Sequence, residues 1–243
     1  MNIFESLAFE FERTFIYKDR WRSFLIGLEN TLIITLLAAL LGVVIGIIIA
    51  AVRTTYDNNS ESMRYSKSIG YYVLKFFNAI CKVYLAVIRG TPVLVQLLII
   101  YLIIFKNSNN SVMVAALAFG INSGAYVAEI LRGGIMAIDK GQFEAGRSLG
   151  FNYVQTMYHI IIPQALKNVL PALLNEFIAL LKETSVAGYI GVVELTKAGN
   201  SIGDVTFSYF MPLISVAIIY LTIVLLLTWL VGRLERRLRK SER

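Results

Sequence analysis

Gln96, Asn122 and Glu176 each stand near the middle of a run of apolar residues, and Lys182, Glu183, Thr184 and Ser185 come within nine positions of Glu176. Such groups offer hydrogen bonds and charge rather than covalent chemistry. An ionisable group at the centre of a lone membrane helix costs at least about 2.5 kcal/mol on insertion scales, so these side chains must face protein or water. What they can do is line a polar path and meet a polar solute on it. Redox, metal and covalent chemistry have little to work with. There is one histidine, His159, and one cysteine, Cys81, which excludes an internal disulfide and leaves scant material for a metal site. Glu176 and Glu183, seven apart, come nearest to a paired-acid arrangement. No G-xxxx-G-K-S/T loop occurs, so the chain is expected to bind no nucleotide, cofactor or metal of its own.

The elements that must hold these residues are membrane helices. The 243 residues are 57% hydrophobic and 16% charged, with a mean hydropathy of +0.66, too apolar for an ordinary soluble domain. The net charge of +7 does not point to nucleic acid, because the basic residues sit in the links between apolar runs and in the tail. Residues 1–23 alternate phenylalanines with charges, as an amphipathic helix or a flexible lead-in. They lack the basic start and short apolar core of a cleavable signal, so the mature chain is expected to keep them.

Five spans are expected within residues 24–232. Residues 31–52, starting near Phe24, run without a charge and exceed the roughly 20 residues needed to cross a hydrocarbon core; Gly42 and Gly46 offer a G-xxx-G packing face. A polar link comes next, with a turn at residues 57–60 and an interfacial helix over 68–82 whose Lys75 and Lys82 can snorkel. Residues 83–105 form a second span, broken or kinked by Arg89-Gly90-Thr91-Pro92. A tight turn at 106–110 leads to a third span, 111–131. The fourth, 168–193, is unusually polar; an outer glycine-bearing loop at 194–206 leads to the fifth, 207–231. Residues 233–243 make a basic tail. The links and tail on one side hold fifteen lysines and arginines and the opposite links hold two, a positive-inside signal that puts the tail in the cytoplasm and the N-terminus outside. The four basic residues before Phe24 run against it, offset by Glu5, Glu10, Glu12 and Asp19.

Between the third and fourth spans, residues 139–163 are polar and helical. Asp139 with Gln142, and again Asn152 with Gln155, carry the spacing of helix starts with reciprocal caps, and Gly150 suits the residue just past a helix end. Pro163 stops the second helix or kinks it into the fourth span. The spacing Glu144-Ala145-Gly146, Gly150, Ile160, Ile162-Pro163 resembles the EAA loop of bacterial ABC-importer permeases, with Gly146 in place of the family's usual alanine and Ile162 in place of its leucine. Two further stretches, RGTP-xxx-Q ending in Gln96 and GAY-xx-E-xx-RGG running through Glu129 to Arg132-Gly133-Gly134, resemble the polar amino-acid permease branch of that family.

The resemblance implies an all-α membrane protein of the type I importer permease fold, with five transmembrane helices and a cytoplasmic helix-turn-helix coupling loop over about residues 135–165. It implies that Glu144, Ala145, Gly146, Arg147, Gly150 and Pro163 dock on an ABC ATPase subunit, which binds the ATP and magnesium. It also implies a second permease chain, identical or related, an extracytoplasmic solute-binding protein and polar amino acids as cargo in a prokaryotic plasma membrane. On this reading Gln96, Asn122, Glu176, Thr184 and Ser185 line the pathway, and Arg89 with Glu129 forms an inner-gate ion pair. Each has a plainer role open to it: Asn122 can bridge helices, Glu176 can be neutralised by a partner chain, and Thr184 and Ser185 can bond back to their own helix. A permease for another small solute, or a secondary transporter needing no ATPase, remains the alternative.

Overall fold

The computed structural model describes residues 3–65 and 69–240, and every regular element among them is helical. In chain order these are α1 (Ile3–Phe11), α2 (Trp21–Tyr65), α3 (Ile69–Gly90), α4 (Val93–Ile99), α5 (Ser111–Met136), α6 (Lys140–Ser148), α7 (Tyr153–Thr156), α8 (Ile162–Glu183), α9 (Leu195–Thr206) and α10 (Phe210–Lys240). Four of them, α2, α3, α5 and α10, are long and apolar enough to cross a membrane, and a shorter apolar stretch covers Val93–Ile104. α8 is not among those four, in keeping with the polar load carried by residues 168–193. The expected interfacial helix begins at Ser68, and the tail ends at residues 241–243, both outside the described residues.

The chain divides into two compact units. One comprises the chain up to Ala38, Leu94–Phe119 and Ile178–Leu230. Its core joins Phe24, Leu195, Ile202 and Val216, which brings α9 against α2 and α10. The other comprises Ala39–Val93, Gly120–Phe177 and the chain from Val231, around Ile49, Cys81, Leu85, Ala125 and Ala128. There α2, α3 and α5 pack together.

Three local expectations are corrected. Residues 57–60 make no turn, since α2 runs through them to Tyr65; Asp57 is ion-paired to Arg132 at 3.4 Å and Asn58 reaches the Tyr153 hydroxyl at 3.5 Å, so tertiary partners override weak helix propensity. α3 continues unbroken past Lys82 to Gly90, because nothing between Ile69 and Gly90 interrupts helical hydrogen bonding. The break comes at Thr91-Pro92, where the Thr91 hydroxyl donates to Val87 O at 2.8 Å. Residues 195–206 are a helix, not a loop: the Glu194 carboxylate accepts from Thr196 N at 2.7 Å and Lys197 N at 2.6 Å, satisfying the first free donors of α9.

The lead-in takes the helical form, and Arg20 Nη1 donates to Arg13 O at 2.7 Å to close the turn into α2. The G-xxx-G face is used: a Cβ on Gly46 would overlap Val127 Cγ1, and one on Gly42 would stand 3.1 Å from Ser123 Cβ. α2 and α5 approach to backbone distance only because both positions are glycine.

Candidate functional site

The polar segment between α5 and α8 folds by the chemistry of its ends. Asp139 caps α6, accepting from Gly141 N at 2.6 Å, while the Gln142 carboxamide accepts from Gln164 at 3.2 Å. At the other end Gly150, at φ +80°, takes a left-handed conformation that a side chain would strain. Gly150 N donates to Arg147 O at 2.9 Å and Phe151 N to Gly146 O at 3.0 Å, the paired bonds of a Schellman close. Asn152 and Gln155 then form a full capping box, with both bonds at 2.9 Å.

α7 passes through a π turn at Met157–Ile161 into α8, Ile162 N reaching back to Met157 O. The helix is therefore widened just before Pro163, which continues it rather than stopping it. α6 lies directly on α7, since a Cβ on Gly146 would stand 2.6 Å from Thr156 Cγ2. The elbow carries exposed apolar side chains, Leu149, Val154 and Tyr158 at 70%, 71% and 69%, and exposed Glu144, Ala145 and Arg147. The one histidine is used for packing, its ring 5.0 Å from Tyr158 and 5.7 Å from Phe151.

Beside the elbow, four charged residues on three helices form a chain. Arg132 Nη1 lies 3.4 Å from Asp57 on α2, Arg132 Nη2 lies 3.3 Å from Glu129 Oε2, and Arg89 Nη1 on α3 lies 3.8 Å from that same oxygen. The Arg89 guanidinium also sits 5.7 Å from the Tyr126 ring centre.

Among the mid-helix polar residues, Glu176 gains a partner from another helix of its own unit. Ser123 Oγ donates to Glu176 Oε1 at 2.9 Å, linking α5 to α8 next to buried Asn122. The sequence does not single out Ser123, because the partner that gives it a role, Glu176, lies fifty-three residues on. Gln96 and Thr184 lie in the other unit, both buried. The Thr184 hydroxyl returns to its own helix, donating to Leu181 O at 2.8 Å, at the start of a 3-10 turn that carries half-buried Ser185. Among the described residues no cluster of histidine, cysteine and acids could hold a metal ion.

Residues 42–240 match the family described as binding-protein-dependent transport system inner membrane component. The arginine transport system permease protein ArtQ of Bacillus subtilis is 40% identical over 164 residues, 65% of this chain and 74% of that one. The glutamine transport system permease protein GlnP of Escherichia coli K12 is 40% identical over 166 residues, 67% and 76% of the two chains. A solved chain described as the crystal structure of an amino acid ABC transporter with histidines is 38% identical, covers 98% of this chain and 99% of its own, and superposes with a TM-score of 0.78.

Proposed function

This chain belongs to the binding-protein-dependent transport system inner membrane component family, a multi-pass membrane permease and not itself an enzyme, and from that premise we propose how it works. It forms half of the pathway of an ABC importer for polar amino acids and takes mechanical work from an ATPase subunit through the elbow. The observation that carries this reading is the elbow itself. A rigid turn, closed by the Gly150 Schellman bonds and the Asn152–Gln155 box, presents exposed Leu149, Val154 and Tyr158. Exposed apolar side chains on a segment that also exposes Glu144 and Arg147 suit a protein groove better than lipid.

ATP and magnesium belong to the partner ATPase. Its closure moves the elbow, and α5 and α8, which lead into it and out of it, carry that motion to residues that alternately face each side. Five crossings serve: α2, α3 with α4, α5, α8 and α10, with the N-terminus outside and the elbow and C-terminus cytoplasmic. A second permease chain completes the pathway, and an external solute-binding protein delivers the cargo. Gln96, Asn122, Glu176, Thr184 and Ser185 line it, and Arg89 with Glu129 closes its inner end. The amino acids named for the relatives support amino acids as the class carried.

Co-purification tests the elbow. Wild type should retain the ATPase, whereas Gly150→Pro, which cannot adopt a positive φ, and Glu144→Lys should insert normally yet lose it. ATPase yield equal to wild type in both variants would place docking elsewhere.

A further inference from the structure

The Arg89–Glu129 pair does not stand alone. Glu129 Oε2 is shared by two arginines, Arg132 at 3.3 Å and Arg89 at 3.8 Å, so what Arg132 does changes how much of that carboxylate is left for Arg89. The other prong of the Arg132 fork holds Asp57 at 3.4 Å. The next residue on α2, Asn58, reaches the hydroxyl of Tyr153, the first residue of α7 in the elbow, at 3.5 Å. A cavity of about 400 Å³ lined by Asp57, Asn58, Lys140, Glu144, Arg147 and Tyr153 lies beside that contact, so the elbow has room to shift against α2. Arg132 Nε is buried without a hydrogen-bond partner among the described residues. An orphaned buried donor is costly, and it marks a guanidinium that is not fully satisfied in this arrangement.

We propose that Arg132 is the positioning residue that carries elbow movement to the inner gate. When the elbow pulls on α2 at Asn58, Asp57 and Arg132 move relative to each other, and Arg132 tightens or releases its hold on the oxygen it shares with Arg89. A planar guanidinium with two prongs can bridge two carboxylates on different helices; an ammonium is a point charge on one stem and cannot hold both in that geometry. The inference rests on the importer reading and adds to it the residue that links docking to gating.

The test uses the whole complex of permease, ATPase and binding protein in proteoliposomes, with complex yield, basal ATPase rate and substrate-stimulated ATPase rate measured together. Asp57→Asn and Arg132→Lys should keep yield and basal rate but reduce stimulation about fivefold or more, and Asp57→Glu should retain it. Full stimulation in Asp57→Asn and Arg132→Lys would overturn the proposal. So would stimulation that falls only in proportion to complex yield, which is the mark of a strut, or an Asp57→Glu variant no better than Asp57→Asn. A wild-type complex with no ATP-dependent uptake would instead overturn the importer reading, and the proposal with it.

Discussion

Ser123 on α5 donates its hydroxyl proton to Glu176 on α8 across 2.9 Å, a side-chain bond that ties the helix before the elbow to the helix after it at the level of the polar mid-helix residues. The two partners should respond differently to substitution. Ser123→Ala removes the donor and leaves a half-buried carboxylate short of a bond, which costs about 1–3 kcal/mol and should lower the melting temperature in detergent. Glu176→Gln keeps an acceptor for Ser123 and should fold at near wild-type stability, but it should raise the half-saturating substrate concentration if Glu176 faces cargo. An unchanged half-saturation with lost dimer would make Glu176 a counter-ion for a partner chain.

Gly146 and Thr156 form the contact between α6 and α7. Gly146→Ala drives a methyl into the Thr156 side chain at 2.6 Å and should cost about 1–3 kcal/mol, as overpacking does. Thr156→Ala in the same chain should recover most of that loss. Thermal melts of the two single variants and the double variant form the cycle, and additive effects would deny the contact.

α9 should bring a pH dependence to stability. Burial of the Glu194 carboxyl raises its pKa above the ordinary 4.5, partly opposed by the backbone donors of Thr196 and Lys197. A carboxyl with a raised folded pKa adds stability that is complete below the unfolded value and is lost as pH rises through the folded value. The melting temperature should therefore decline as pH rises from 4.5 toward that raised value. Glu194→Gln supplies an acceptor for only one of the two backbone donors, so it should melt lower, by about 1 kcal/mol as for a lost cap, and should not show this decline. An identical pH profile in both proteins would remove Glu194 as its source.

The α2–α5 contact rests on Gly46. With Val127 Cγ1 standing where a Cβ would reach, Gly46→Leu cannot be accommodated by a rotamer change and should abolish folded, detergent-stable protein. Gly46→Ala should be strongly destabilised, and Val127→Ala should relieve it only in part, because Val127 Cβ and Ala128 N would still stand 2.7 and 3.1 Å from the new methyl. Size-exclusion profiles of the three variants decide this.

What the residues announced in advance was local chemistry with short reach. The Asn152–Gln155 box, the Gly150 turn and the break at Pro92 depend on residues within a few positions of one another, and spacing alone exposes them. What stayed hidden depends on partners far along the chain. Asp57 and Asn58 read as a turn until Arg132 and Tyr153 are found beside them. Glu194 reads as loop because glutamate is an uncommon cap, and only its buried place against Thr31 and Tyr220, with Leu195 N donating to Thr31 Oγ1 at 3.2 Å, makes it one. Ser123 is one small residue among several in its helix, and its importance comes from Glu176, fifty-three residues on.

Uptake into sealed vesicles tests the central claim most directly. The permease, its ATPase and its binding protein are reconstituted, and a panel of labelled polar amino acids is supplied on the binding-protein side with ATP on the side of the elbow. Accumulation of at least one of them that requires ATP hydrolysis and disappears with Gly150→Pro is the predicted result. Accumulation that proceeds without ATP, or that tracks an ion gradient and survives Gly150→Pro, would contradict it.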